Sequence, residues 1–173
     1  EAFYQFYRQH AFEAVYVSSL KRTRQTMNPF AQNGQVLHIL DGFNEMNWGV
    51  MEGRPITPEV IQTFREVLGE WQSGNVGYRA PNGESPVEVW ERAYLALETI
   101  FRRHPSGNVL ICSHGRTLRV ILSQLLGYGL ENMQLFEHDN TGVYTLSRQG
   151  AKVVAHTFND LSHLKETPLE TLG

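Results

Sequence analysis

Short apolar segments that alternate with longer amphipathic stretches constrain the fold of this 173-residue chain most strongly. Ala14–Val17, Val36–Ile39 and Val109–Cys112 are short apolar runs, which are typical of buried strands. Between and after these runs, apolar residues recur at helical spacing. Strands that alternate with helices predict an α/β domain with a mainly parallel central sheet and helices on both faces.

Helix starts are predicted from capping residues as well as from apolar periodicity. Ser18 or Ser19 can cap the second helix, and Thr57-Pro58 and Ser85-Pro86 are start signatures. The predicted helices cover residues 2–9, 20–31, 57–68, 85–104 and 115–126. Two loops that contain Gly and Pro are predicted at residues 41–56 and 72–84. A closing hairpin is predicted from two strands at residues 142–146 and 151–156. No repeat or low-complexity stretch divides the chain, so we expect one domain over residues 1–173.

Composition limits the classes of function. The net charge is −3 with acidic and basic residues interleaved, which argues against a nucleic-acid or anionic-membrane surface. No apolar run approaches the roughly 20 residues of a membrane span. Cys112 is the single cysteine, which excludes a disulfide framework within the chain and a cysteine-built zinc site. We therefore expect a cytoplasmic protein without nucleic-acid or membrane partners.

A basic turn follows the first predicted strand. Lys21, Arg22 and Arg24 stand where this strand becomes a helix. Cations are unfavourable at a helix N-terminus unless an anion is present, and arginine binds phosphate oxygens in pairs. The segment therefore indicates an anion site, with the solvated face of an amphipathic helix as the alternative.

A histidine stands at the equivalent place after the third predicted strand. His114 precedes a helix, and Gly115 allows the backbone to approach a ligand closely. The alternative is a capping or packed histidine. A cysteine phosphatase loop would need Arg six residues after Cys112, where the chain has Leu118. A serine-hydrolase elbow would need Gly on both sides of Ser113 at two residues' distance, and position 111 is Ile.

Two further segments are weaker candidates. Glu45 and Glu52 stand in an aromatic, glycine-containing loop, where a carboxyl group could serve as general acid; an ordinary surface loop is the alternative. Residues 82–86 could supply neutral donors, although helix capping is the favoured role. The remaining histidines are interpreted as surface or packing residues, or lack metal-ligand spacing: His10, His38, His104, His138, His156 and His163.

Taken together and in chain order, these segments resemble the histidine phosphatase superfamily. The matching motifs are Ser-x-Leu-x-Arg-x-x-x-Thr, Glu-x-x-x-Gly-x-x-Glu-Gly, Gly-Glu-Ser and a strand ending in Ser-His-Gly, at residues 18–26, 45–53, 83–85 and 109–115. Asn159–Leu164 also looks like the tail of bacterial members. The resemblance covers nearly the whole chain and implies a phosphoglycerate mutase-like fold.

The resemblance also implies a mechanism, in which a phosphohistidine forms and is then hydrolysed without a metal ion or other cofactor. Arg22 would clamp the phosphate oxygens, and His114 would neutralise charge in the transition state. Glu45 would donate a proton to the leaving oxygen. The backbone N–H of Gly115 would complete the phosphate site.

One departure from the family is large. The family's nucleophilic histidine lies on a first strand that ends in Arg-His-Gly, and this tripeptide is absent from the 173 residues. Without that interior strand, the edges of two neighbouring strands would face solvent. We therefore expect roughly 30 further residues, including this strand, before Glu1 of the natural protein.

We expect a phosphatase that hydrolyses a small phosphomonoester. The span from Gly53 to Gly83 is short, whereas mutases of this family carry a longer insertion that covers the site. The alternatives are a phosphoglycerate-type mutase and a non-catalytic phosphate-binding module. Loop position alone predicts that specificity depends on residues of the 43–84 region, among them Trp48, Trp71, Tyr78 and Arg79.

Overall fold

The computed structural model describes residues 1–150 and 152–165. Ala151, the first residue of the last predicted strand, therefore lies outside the described residues. The helices are α1 (Ala2–Tyr7), α2 (Lys21–Gln32), α3 (Pro58–Gln72), α4 (Pro86–Arg103), α5 (Gly115–Leu125) and α6 (Ser162–Lys165). The strands are β1 (Phe12–Val17), β2 (Leu37–Ile39), β3 (Asn108–Cys112), β4 (Val143–Gln149) and β5 (Lys152–Asp160).

The central sheet has the order β2-β1-β3, and both strand pairs are parallel. Val15 of β1 stands opposite Leu37 on one side and Leu110 on the other. The prediction of a mainly parallel α/β sheet is therefore confirmed. The closing strands β4 and β5 form a separate antiparallel hairpin, as predicted, and both extend further than the sequence pattern indicated.

Successive side chains of β1 point to opposite faces of the sheet, and each face is covered by helices. Val15 and Val17 share a core cluster with residues of α1 and α2, including Phe3, Met27 and Phe30. Ala14 and Tyr16 belong to a second cluster with residues of α4 and α5, including Ala93, Leu97 and Ile121. The strand is apolar at every one of these positions because it is buried on both sides.

The helix starts predicted at Thr57 and Ser85 are confirmed. The Thr57 hydroxyl accepts a hydrogen bond from the Val60 N–H. Ser85 and Glu88 form a reciprocal capping box at the start of α4. The predicted end of α3 at Leu68 is wrong by one turn, because Trp71 lies four residues after Val67 on the same buried face and extends the helix to Gln72.

Across residues 1–150 and 152–165, no helix is long and apolar enough to cross a bilayer. In the same ranges, no three histidine, cysteine, aspartate or glutamate side chains come together as a set that could hold a metal ion.

Candidate anion-binding site

Two segments that are far apart in the sequence meet at one edge of the central sheet. Because β1 and β3 are parallel neighbours, their carboxyl ends bring Ser18 and His114 side by side. The basic turn at the start of α2 and the N-terminus of α5 lie at this edge. The structure therefore joins the two strongest candidate segments of the sequence.

His114 is held between an arginine and a serine. Arg22 Nε donates to His114 Nδ1 at 2.8 Å, and Ser18 Oγ lies 2.8 Å from His114 Nε2. Since Nδ1 accepts a hydrogen bond, a neutral ring carries its proton on Nε2 and donates it to the serine. These contacts fix both the orientation and the tautomer of the ring.

The surroundings of His114 favour its neutral form. Burial lowers the pKa of His114 to about 4, and the Arg22 charge acts in the same direction. The side chain is only 5 % exposed. A phosphate dianion at this place would reverse the effect, because it would stabilise a second positive charge beside Arg22.

The predicted capping of α2 by Ser18 or Ser19 is wrong. The helix begins at Lys21 with Leu20 at the N-cap, and no side chain caps it. Both serine hydroxyls are engaged elsewhere, since Ser18 bonds His114 and Thr23 while Ser19 donates to Asn44 Oδ1 at 3.0 Å. The serine side chains before this helix therefore bond residues of the candidate site and do not cap the helix.

Glu45 closes the site from the side of α5. Its carboxylate accepts hydrogen bonds from the backbone N–H groups of Thr117 at 3.1 Å and Arg116 at 3.3 Å. The Met46 N–H and the Thr117 hydroxyl also donate to it. A carboxylate at the positive end of a helix dipole is favourably placed. The loop carboxylate therefore occupies the N-terminus of the helix that His114 begins.

Arg92 of α4 fixes the loop that carries Glu45, and the sequence did not single it out. Its Nη1 donates to the carbonyl oxygens of Gly42 at 2.8 Å and Asn44 at 2.9 Å. Its other nitrogens pair with the Glu84 carboxylate. Arginine within an amphipathic helix is usually solvent-exposed, so no sequence signal distinguished this one.

Gly115 and His138 stand in close contact. A Cβ atom at position 115 would lie 2.8 Å from His138 Cδ2, which is closer than real Cβ contacts. Burial lowers the pKa of His138 as well, followed by the charge of Arg119. In the sequence, His138 lies near the C-terminus without metal-ligand spacing, so no sequence signal placed it in the site. The fold brings it beside the glycine predicted to bind phosphate.

A groove of about 1360 Å³ runs from the site along β3. Residues 108–113 form one wall and residues 142–144 and 146–148 form part of the other. Among the described strands, β3 pairs only with β1 and β4 pairs only with β5, so each has one edge without a partner strand. Arg22, Glu45, His114 and His138 all line the groove.

Other residues of the candidate segments lie outside the cluster. Glu52 is exposed and accepts the Trp48 N–H at 3.0 Å, so it closes a turn. Lys21 and Arg24 are exposed on α2 and line a separate shallow surface. At the end of β3, burial raises the pKa of Cys112 to about 12, so its thiol stays protonated at neutral pH.

The residues proposed for specificity differ in their exposure to solvent. Trp71 is 1 % exposed and donates its indole N–H to the Tyr78 carbonyl, so it belongs to the core. Tyr78 and Arg79 are exposed, and Arg79 pairs with Glu88 of the capping box. Trp48 is half-buried and packs against Trp71.

A parallel sheet with an arginine, a histidine and a helix N-terminus at its carboxyl edge is an α/β domain with a candidate anion site. The sequence assigns the family within that class. Residues 1–161 match the family model of the Histidine phosphatase superfamily (branch 1), and the chain belongs to this family.

Relatives of the chain are named as phosphatases and as mutases. A protein of Hydrogenobacter thermophilus named as a phosphoserine phosphatase is 29 % identical over 155 residues, which are 89 % of this chain and 75 % of that protein. A protein of Yersinia pestis named as a phosphoglycerate mutase, GpmB, is 34 % identical over 124 residues, which are 69 % of this chain and 56 % of that protein. The solved structure of YhfR from Bacillus stearothermophilus superimposes with a TM-score of 0.79 at 23 % identity, covering 94 % of this chain and 81 % of that one. The structural likeness shows a shared fold.

Proposed function

We propose that the chain forms the active site of a phosphatase that hydrolyses a small phosphomonoester through a phosphohistidine intermediate. The observation that carries this proposal is the contact between Arg22 and His114 at 2.8 Å. Two nitrogen-rich side chains in direct contact, without a carboxylate between them, are suited to a bound phosphoryl group. Membership of the histidine phosphatase superfamily supports the same chemistry.

Each residue of the cluster has a role in this reaction. A histidine nitrogen attacks phosphorus and forms a P–N bond, while the P–O bond to the leaving group breaks. Glu45 takes up a proton from solvent when the phosphate binds and gives this proton to the leaving oxygen, and Arg22 and His114 balance the charge on the other phosphate oxygens. The Gly115 N–H adds a neutral donor. Water then gives a proton to the Glu45 carboxylate and attacks the phosphohistidine, and the P–N bond breaks, which releases phosphate and restores the protonated Glu45.

We propose that the nucleophilic histidine lies on a strand from outside these 173 residues, seated between β3 and β4. The groove supports this, because its two walls are strand edges with unpaired backbone groups and it leads to His114. An added strand would join the sheet and the hairpin into one domain. It would also place its last residues beside Arg22.

Three further properties belong to the proposal. The reaction needs no metal ion, since arginine and histidine supply the positive charge. Cytoplasmic location is supported by a single free cysteine, which needs no oxidising compartment. Hydrolysis is favoured over mutase activity because a single helix, α3, lies between Gly53 and Gly83, which leaves a short cover over the site.

The test is the turnover of p-nitrophenyl phosphate by the complete natural protein in the presence of EDTA. We expect hydrolysis that falls at least 100-fold in His114→Ala and in Arg22→Ala, with circular dichroism showing both variants folded. Rapid quenching should trap an acid-labile phosphoryl group on a histidine outside the 173 residues.

Three results would oppose the proposal in different ways. If the protein binds phosphate but does not turn over p-nitrophenyl phosphate, it is a non-catalytic phosphate-binding module. Transfer of the phosphoryl group to a second alcohol faster than to water would mean a mutase. A label on His138 would place the nucleophile within the described chain and overturn the role given to the groove.

A further inference from the structure

Two buried hydroxyl groups stand behind the His114 ring, at the nitrogen opposite the one that contacts Arg22. Ser18 Oγ lies 2.8 Å from His114 Nε2 and 2.9 Å from Thr23 Oγ1, and both hydroxyl residues are buried. Neither residue has a role in the proposed reaction. Each hydroxyl group has a single proton to donate, so the direction of this chain of hydrogen bonds can be determined from its partners.

Ser18 acts only as an acceptor towards the histidine. Nε2 of His114 carries a proton because Nδ1 accepts a hydrogen bond from Arg22, so Nε2 donates to the Ser18 oxygen. The same oxygen accepts the Leu20 N–H at 3.2 Å. Two accepted hydrogen bonds use both lone pairs of a hydroxyl oxygen. The Ser18 proton therefore has one remaining direction, towards Thr23.

Thr23 requires the same direction from the other end of the chain. Its Oγ1 donates to a backbone carbonyl oxygen, that of Leu20 at 2.9 Å or that of Ser18 at 3.2 Å. Carbonyl oxygens only accept, so the Thr23 proton is used there and the Thr23 oxygen has to accept from the Ser18 hydroxyl. This argument does not involve Arg22. The backbone carbonyl groups thus select the same tautomer of His114 as the arginine does.

His114 has both ring nitrogens occupied, since Arg22 contacts Nδ1 and Ser18 contacts Nε2. One of these two contacts has to open before the ring can donate to a bound phosphoryl group. The contact with Ser18 belongs to a buried network, where a hydroxyl group that loses its partner is costly. Arg22 is exposed, so its guanidinium group can leave Nδ1 and bind phosphate oxygens instead. The contact with Arg22 is therefore the one that opens.

We propose that Ser18 and Thr23 are positioning residues that keep a proton on Nε2 of His114, so that Nδ1 is the nitrogen that faces a bound phosphoryl group. Once Arg22 has moved from Nδ1 to the phosphate, the selection of the tautomer depends on the two hydroxyl groups. Nδ1 then takes up a proton from solvent and donates a hydrogen bond to a phosphate oxygen. The phosphate part of this inference rests on the proposed function, whereas the tautomer part concerns the free protein.

The test is NMR of the histidine ring nitrogens in the full-length protein, because protonated and unprotonated ring nitrogens differ in chemical shift. His114→Gln identifies the His114 signals. In Arg22→Ala the donor to Nδ1 is gone, yet we expect His114 to keep its proton on Nε2. Adding Thr23→Val removes the acceptor of the Ser18 proton, which can then turn towards Nε2. In this double variant the second tautomer should reach at least about 10 % of the population.

Matched variants separate the hydroxyl group of Thr23 from its volume. Thr23→Ser keeps the hydroxyl group and should restore the single tautomer in the Arg22→Ala background. Thr99→Val removes a hydroxyl group that donates to the Leu95 carbonyl within α4, and it should leave the tautomer unchanged. Ser18→Ala removes the acceptor of Nε2 itself and provides a second test if Thr23→Val fails to fold. A merely structural role of Thr23 predicts a loss of stability without a change of tautomer.

Titration of the unmutated protein with inorganic phosphate shows which nitrogen faces the ligand. We expect Nδ1 of His114 to change from unprotonated to protonated on saturation, while Nε2 stays protonated. Thr23→Val should raise the Kd of phosphate about 3- to 10-fold, because the protonated ring loses part of its support from Ser18.

The outcomes that overturn this inference differ from those that overturn the phosphatase. Mixed tautomers in Arg22→Ala, or a single tautomer in the double variant with Thr23→Val, would each refute it even if turnover is intact. So would a phosphate complex in which Nδ1 of His114 stays unprotonated. Absence of phosphate binding would refute both the phosphate part and the proposed function. A single tautomer that depends on Thr23, with phosphate bound at Nδ1 but no turnover of p-nitrophenyl phosphate, would refute only the proposed hydrolysis.

Discussion

At the residue scale, the candidate site depends on side chains that form hydrogen bonds with one another. Arg22 would repel a protonated His114, and the contact persists because the histidine ring is neutral and accepts a hydrogen bond. The sequence could predict both residues, since each stands where a buried strand meets a helix. It could not predict Ser18 as the third partner, because a serine before a helix is first interpreted as a cap.

The first prediction concerns stability against pH. The pKa of His114 is about 4 in the folded chain and near its ordinary 6.5 when unfolded. The unfolded chain therefore binds a proton first as the pH falls. The stability that this group contributes is complete above about pH 6.5 and is lost between about pH 6.5 and 4, by up to about 3 kcal/mol.

Urea unfolding at pH 7.5 and pH 5.0 measures this effect, with His114→Gln as the matched variant. The loss of unfolding free energy between the two pH values should be smaller in the variant. His138 and His163 have lowered pKa values too, but they remain in both proteins and cancel in the comparison. The same loss in both proteins would contradict the assignment to His114.

The second prediction concerns the contact between Gly115 and His138. Gly115→Ala introduces a Cβ that would lie 2.8 Å from the His138 ring, so the ring has to move. We expect a loss of about 1–3 kcal/mol in unfolding free energy. In a His138→Ala background the same substitution should cost clearly less, because the colliding atoms are gone. Equal costs in the two backgrounds would show that the ring is not the obstacle.

At the scale of elements, the loop between β2 and α3 is held in place by a helix on which it packs. A Cβ at Gly42 would lie 2.5 Å from the Arg92 carbonyl oxygen, so glycine permits the loop to lie directly on α4. The guanidinium group of Arg92 then binds the loop carbonyls and Glu84. Helix starts and buried strands could be predicted from local sequence patterns. The hydrogen bonds of Arg92 join residues that are far apart in the sequence, so they depend on packing that no local pattern encodes.

The third prediction follows from the hydrogen bonds between Arg92 and the loop carbonyl groups. Arg92→Ala leaves two loop carbonyl groups without their donor, so the Glu45 carboxylate should lose its fixed position. We expect kcat for p-nitrophenyl phosphate to fall about 10- to 100-fold, with a smaller change in KM, because proton donation suffers more than binding. Arg102→Ala on the exposed part of the same helix is the control and should be near wild type. An unchanged kcat in Arg92→Ala would show that the hydrogen bonds of Arg92 to the loop are not needed for catalysis.

At the scale of the whole molecule, the described residues include a sheet and a hairpin with a groove between them. The sequence predicted both parts, and the absence of an Arg-His-Gly strand predicted open edges. The location of the groove could not be predicted, because it depends on where the hairpin packs relative to β3. That packing is a matter of tertiary contacts rather than of local propensity.

The fourth prediction compares the 173-residue chain with a chain that also carries the proposed further strand. If a further strand fills the groove, amide hydrogen exchange in β3 and β4 should be slower in the longer chain by at least about 10-fold. The outer edge of β2 lies on the far side of the sheet and serves as an internal control. Its exchange should change little. Equal protection of β3 in both chains would mean that the groove stays open.

The pairing of Arg22 with a neutral His114 has a consequence for the heat of ligand binding. A phosphate dianion that raises the pKa of His114 above neutrality makes the ring take up a proton, and the buffer must supply it. The apparent binding enthalpy should then depend linearly on the ionisation enthalpy of the buffer, with a slope approaching one proton per site. Affinity for inorganic phosphate should weaken as the solution becomes more alkaline, so the site would respond to acidity in its surroundings.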